Sequence, residues 1–149
     1  MDASTPGGSV ELGTGYAAYR VMPDELPMVY GDQNGYHIEA RARIVGLDPG
    51  DPLEITKPTN PRTRYSAFYV EDGRAINIPV LCPTRLGYVP ASDGNGYTSA
   101  AYLEIRFDTG YQAADIFGKD FRVLVEVIDS TGKYAKDEKI IKALPPTMM

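Results

Sequence analysis

The chain has 149 residues, of which 43% are hydrophobic and 23% charged, and a net charge of −5. A domain of that length buries roughly 70% of the surface its unfolded chain exposes, so it needs neither disulfide nor metal to fold. The acidic balance argues against a nucleic-acid backbone as partner, which calls for a basic face. Lys57, Arg62 and Arg64 are the nearest thing to a basic cluster and read as solvated loop charges.

Glycine (15) and proline (12) are spread so evenly that long helices have no room, which points to an all-β fold. No apolar run reaches the roughly 18 residues that span a membrane. Residues 1–9 are small, polar and glycine-rich and read as a flexible tether, what remains when an export or lipoprotein signal is removed. On that reading the protein is exported, periplasmic or at the cell surface, and touches a membrane only through an N-terminal anchor.

In chain order, residues 10–12 and 16–21 are predicted as short strands around Gly13-Thr14-Gly15. Pro23 and Pro27 confine 28–30 to an edge or loop position. Residues 31–35 form a turn, and 36–45 alternate clearly. Tyr36, Ile38, Ala40, Ala42 and Ile44 fall on one face; His37, Glu39, Arg41, Arg43 and Val45 fall on the other, which is predicted to be solvated. Residues 48–52 are another turn and 58–63 a loop. Asp72-Gly73 between 65–70 and 74–80 is a hairpin signature.

Cys82, the single cysteine, lies in an apolar run and reads as a small buried hydrophobe. A long glycine-rich loop then leads to a strand at 102–108, with Leu103, Ile105 and Phe107 inward. Residues 121–128 form the most hydrophobic strand. The 134–144 segment has a helix-friendly composition. Its place after the tight turn at 129–132 makes it a strand instead, and 145–149 form a tail. Seven to nine strands between 10 and 144 give an antiparallel two-sheet β-sandwich.

Gly118-Lys119 leading into a valine-rich strand, then Asp129-x-x-Gly132-Lys133-x-Ala135, resembles the last hairpin of bacterial immunoglobulin-like domains. Gly31-x-Gln33-x-Gly35-Tyr36-His37 is similar to a segment of bacterial envelope proteins. The resemblance implies an immunoglobulin-like sandwich in an envelope or secreted protein, although one cysteine and no tryptophan leave out that fold's disulfide and core indole.

Catalysis by a Ser-His-Asp or Cys-His site would have to use His37, the only histidine, and no nucleophile elbow accompanies it. The expectation is a non-catalytic interaction or structural module without cofactor, binding a protein partner or itself. Its contacts are predicted at Glu39, Arg41, Arg43, Tyr102, Glu104 and Arg106 on the mixed-charge face. The alternative is a small-ligand binder. Tyr88, Tyr97 and Tyr111, in or near the glycine-rich loops, would form a shared patch suited to carbohydrate. The Asp-x-Asn-Gly loops with Asp32, Asn34, Asp93 and Asn95 would hold calcium, which takes six to eight oxygens. Those residues are equally the ordinary turn formers.

Overall fold

A computed structural model describes residues 7–31, 35–54, 56–76, 84–108 and 111–147. Cys82, Asp32, Asn34, the outer part of the predicted tether (1–6), most of the second arm of the Asp72-Gly73 hairpin (77–80) and residues 148–149 lie outside this set.

Twelve strands and one short helix follow in order among the described residues: β1 Ser9–Thr14, β2 Arg20–Val21, β3 Glu25–Pro27, β4 Val29–Tyr30, β5 Tyr36–Val45, β6 Arg62–Tyr69, β7 Thr84–Arg85, β8 Tyr88–Pro90, β9 Tyr97–Ser99, β10 Leu103–Arg106, α1 Ala113–Ile116, β11 Asp120–Ile128 and β12 Tyr134–Leu144. The excess over the predicted seven to nine comes from two-residue strands with little sequence pattern, β2, β4 and β7. Of the predicted strand 16–21, residues 16–18 form a bend instead and only Arg20–Val21 is strand.

The strands make two sheets. One has seven strands in the path β2-β1-β5-β9-β8, with β4 and β10 also on β5; the other has five, β3-β12-β11-β6-β7. Among the described residues all strand pairings are antiparallel except one: β3 runs parallel to β12, with Leu26 opposite Ala143. The sandwich is therefore mixed at that edge. Pro27 ends β3 where it can donate no ladder hydrogen bond, the edge position proline tolerates.

The inward rows interdigitate as period-two alternation requires. Ile38, Ala40, Ala42 and Ile44 of β5 face Phe121, Val123, Val125 and Val127 of β11, all excluded from water, with Leu12, Met22 and Ile141 between them. At one end the core is aromatic: Phe121 packs against Tyr69 at 4.6 Å and Phe107 at 5.3 Å between ring centroids.

The two hairpins form where the turn residues ask for them. Gly73 takes φ +74, the Tyr69 amide donates to the Arg74 carbonyl, and a bridge joins Phe68 to Ala75. In the β11–β12 turn the Asp129 side chain is the organiser. One carboxylate oxygen accepts from the Thr131 amide and hydroxyl and from the Lys133 amide; the other accepts from the Asp48 amide at 2.8 Å. A single carboxylate thus ties the turn to the loop after β5. β12 is a strand over its full length, as position predicts against composition.

Candidate functional site: the outer row of β5

The second face of β5 is not a solvated face, and this is the main correction to the sequence reading. Arg41 is 6% exposed and His37 5% exposed, while only Val45 at the strand end is open. The inward register is as predicted; the opposite row is covered by protein.

The cover begins with an irregularity in the neighbouring strand. Between the pairs Thr98↔Arg43 and Leu103↔Ala40, the ladder advances three residues on β5 and five on the facing strand. The two additional residues bulge outward around Ala100–Tyr102, and a bulge of this kind re-aims nearby groups. Here it turns the Ser99 carbonyl toward Arg41.

On the other flank, β1 ends in a tight bend at Gly15, whose φ of +128 and close approach to the Ala18 carbonyl leave no place for a side chain. Arg41 joins the two flanks. Its Nε donates to the Gly15 carbonyl at 2.8 Å, Nη2 to the Tyr16 carbonyl at 2.8 Å and Nη1 to the Ser99 carbonyl at 3.1 Å. A guanidinium offers five N–H donors in a rigid fork, so one side chain can hold three backbone oxygens at once.

This clamp displays an aromatic pair. Tyr16 is 72% exposed although its carbonyl is held by Arg41, and its ring lies 5.5 Å from that of Tyr102 on the bulge. Burial pushes the Tyr102 hydroxyl up, as do the carboxylates of Glu39 and Glu104 beside it.

Arg43 is likewise engaged. Its Nη1 donates to both oxygens of Asp93 and to the Asn95 carbonyl, all at 2.9 Å, and its guanidinium lies 5.0 Å from the centre of the Tyr19 ring. The Tyr19 hydroxyl donates to Glu11 at 2.6 Å; burial pushes that hydroxyl up, reinforced by Glu11. The Asn95 amide, followed by Arg43, holds the Asp93 carboxyl below its ordinary range. Both carboxylate oxygens of Asp93 and the main-chain carbonyl of Asn95 are thus engaged by Arg43. Among the described residues no group of three or more His, Cys, Asp or Glu side chains is arranged to hold a metal ion.

The three predicted tyrosines do not form one patch. Tyr88 is 1% exposed, its hydroxyl 2.7 Å from that of Thr63, so it is a core residue. Tyr111 packs with Tyr69 and Phe107 in the aromatic end of the core, under Arg74. Tyr97 alone remains at the surface. Glu104 and Arg106 lie on the outer side of β10, paired to each other at 2.7 Å.

Sequence reasoning missed Tyr16 by assigning it to a strand. The two glycines flanking Thr14 were the signal that the chain turns there.

A scan against protein-family models and a search of curated proteins both find no match to this chain. No helix among the described residues is long and apolar enough to cross a membrane. The molecule is an all-β, two-sheet sandwich in which a buried arginine holds the backbone of an exposed tyrosine, Tyr16, beside the half-buried Tyr102.

Proposed function

We propose that the protein is a non-catalytic interaction or structural module of immunoglobulin-like type, serving a bacterial envelope or extracellular assembly. In this reading it binds a protein partner through the Tyr16–Tyr102 surface rather than through Arg41. The observation that carries it is the combination at Tyr16: a ring mostly open to water on a backbone held by a buried guanidinium. Aromatic side chains presented in a fixed position bind with little loss of conformational freedom and recur as interface anchors.

Glu39 and Glu104, near the Tyr102 hydroxyl, add acceptors at the rim. The immunoglobulin-like part of the reading is supported by the β11–β12 hairpin, whose turn is built by Asp129, the first residue of the motif that carries the resemblance. The envelope assignment follows from the resemblance of residues 31–37.

The test places a photoreactive phenylalanine analogue at position 16, at position 102, or at exposed Ile140 on β12, in the protein expressed in its own cells. Discrete covalent adducts at 16 and 102, and none at 140, are expected. Absence of an adduct at position 16 overturns the reading.

A further inference from the structure

Four pairs in the chain place asparagine or aspartate directly before glycine: Asn34-Gly35, Asp72-Gly73, Asp93-Gly94 and Asn95-Gly96. In such a pair the glycine nitrogen can attack the preceding side-chain carbonyl carbon, because no Cβ stands in the way. The reaction needs a side chain free to swing and an amide that is not already bonded. Asn34 lies outside the described residues.

The fold separates the other three. The Gly73 amide donates to the Tyr69 carbonyl at 2.8 Å inside the hairpin turn, and Asp72 Oδ1 accepts from the Arg74 amide at 2.9 Å. The Gly94 amide donates to the Ala91 carbonyl at 3.0 Å, and Arg43 holds both oxygens of Asp93. Asn95 differs on each count. It is exposed, and among the described residues neither its side chain nor the Gly96 amide enters a hydrogen bond. It lines an open cavity of about 350 Å³ with Ser9 and Glu11, so water reaches it. Glycine at 96 is required by the turn, since φ is +73 and a Cβ would strike the Ile44 carbonyl.

We propose that Asn95 is a site of self-modification by deamidation in the folded protein, with Arg43 steering the product. Hydroxide takes the Gly96 amide proton, and the nitrogen bonds to Asn95 Cγ. The Cγ–Nδ2 bond breaks and ammonia leaves, its added proton coming from water. Water then opens the resulting succinimide at one of its two carbonyls. Attack at Cγ gives aspartate. Attack at the main-chain carbon gives isoaspartate, in which the chain runs through Cγ and the main-chain carboxylate is set free. Arg43 Nη1 holds that main-chain oxygen at 2.9 Å, so it polarises the carbonyl and receives the new carboxylate as an ion pair. The guanidinium then serves a further carboxylate, beside Asp93 at 2.9 Å and Glu11 at 3.7 Å, and the turn against β5 gains a methylene in its main chain.

The test uses the whole chain carrying Asp72→Asn, which sets the same asparagine–glycine pair in the hairpin turn where the glycine amide is tied. The protein is kept folded in mildly alkaline buffer, or unfolded in guanidinium chloride, and both positions are followed by peptide mapping with mass spectrometry. In the folded chain position 95 should convert at least about tenfold faster than position 72, which reacts only when its turn opens. Unfolded, the two should differ by less than about threefold, since no structure then distinguishes them. Isoaspartate should make up a larger share of the product at position 95 in the folded chain than in the unfolded one, and Arg43→Gln should return that share to the unfolded value. Where Arg43→Gln does not fold, the comparison of folded with unfolded chain decides. An intact Asn95 in the folded chain, equal folded rates at 72 and 95, or an isoaspartate share that the fold leaves unchanged overturns the proposal.

Discussion

Arg41 Nη2 holds the carbonyl of Tyr16 at 2.8 Å, so the least exposed arginine of β5 fixes the backbone of one of the most exposed tyrosines. The rest of the outer row follows the same logic, with Arg43 tying Asp93 and His37 facing Glu104. Charged side chains that would ordinarily point into water hold curled loops onto the sheet.

Removing the Arg41 guanidinium leaves three carbonyls without their donor, each unmade bond costing about 1–3 kcal/mol where the group stays buried. Arg41→Ala should lower stability by about 3 kcal/mol or more in urea unfolding, and Arg41→Lys should recover only part of it because an ammonium cannot span the fork. Arg122→Ala, which breaks an exposed pair with Glu138, should cost under about 1 kcal/mol.

The tyrosines should separate sharply. Tyr88→Ala empties a core position and should cost about 3–5 kcal/mol, as large aromatic truncations do. Tyr16→Ala should stay within about 0.5 kcal/mol. Comparable losses for the two, measured by thermal unfolding, would show that the Tyr16 ring is buried and contradict its place at the surface.

Acid should act through two carboxylates. Burial raises Asp129, but the Asp48 amide, the Thr131 hydroxyl and the turn amides prevail and hold it below its ordinary range; burial likewise raises Glu126, and Arg64 with the Tyr134 hydroxyl brings it down. Both release their proton more readily in the folded state. Their contribution is therefore complete above the unfolded carboxylate range, about 4, and is lost as pH falls through the lower folded values. Asp129→Asn keeps one accepting oxygen and sets an amide donor against the Asp48 amide, so it should cost about 1–3 kcal/mol at neutral pH. It should also flatten the acid limb of the stability curve. An unchanged acid limb would contradict this assignment.

Much of the fold could be read from the chain because it depends on short-range rules. Ile38 to Ile44 and Phe121 to Val127 alternate with the period of a strand, and Asp72-Gly73 and Asp129 to Gly132 have the chemistry of tight turns. The strand 134–144 was legible from its position, since register pairing with β11 outweighs a helix-friendly composition.

The outer row of β5 was not legible for a definite reason. Alternation says that two faces differ, and leaves open whether water or protein covers the second. The cover comes from Gly15 and Ser99, distant in sequence, and from a bulge whose two additional residues have no local signature. The parallel pairing of β3 with β12 is equally non-local. Tyr88, expected in a surface patch, lies in the core for the same reason: tyrosine suits both a core edge and a surface, and only the tertiary path decides.

The chain has no tryptophan, so Tyr16→Trp introduces a single indole, excited selectively over the tyrosines, at the displayed position. Its fluorescence anisotropy and iodide quenching, measured with and without Arg41→Ala, test directly whether the ring is both exposed and fixed. The account predicts an indole open to iodide with anisotropy near that of overall tumbling, and a fall in anisotropy when Arg41 is removed from a variant that remains folded. An indole shielded from iodide, or one equally mobile with and without Arg41, would contradict it.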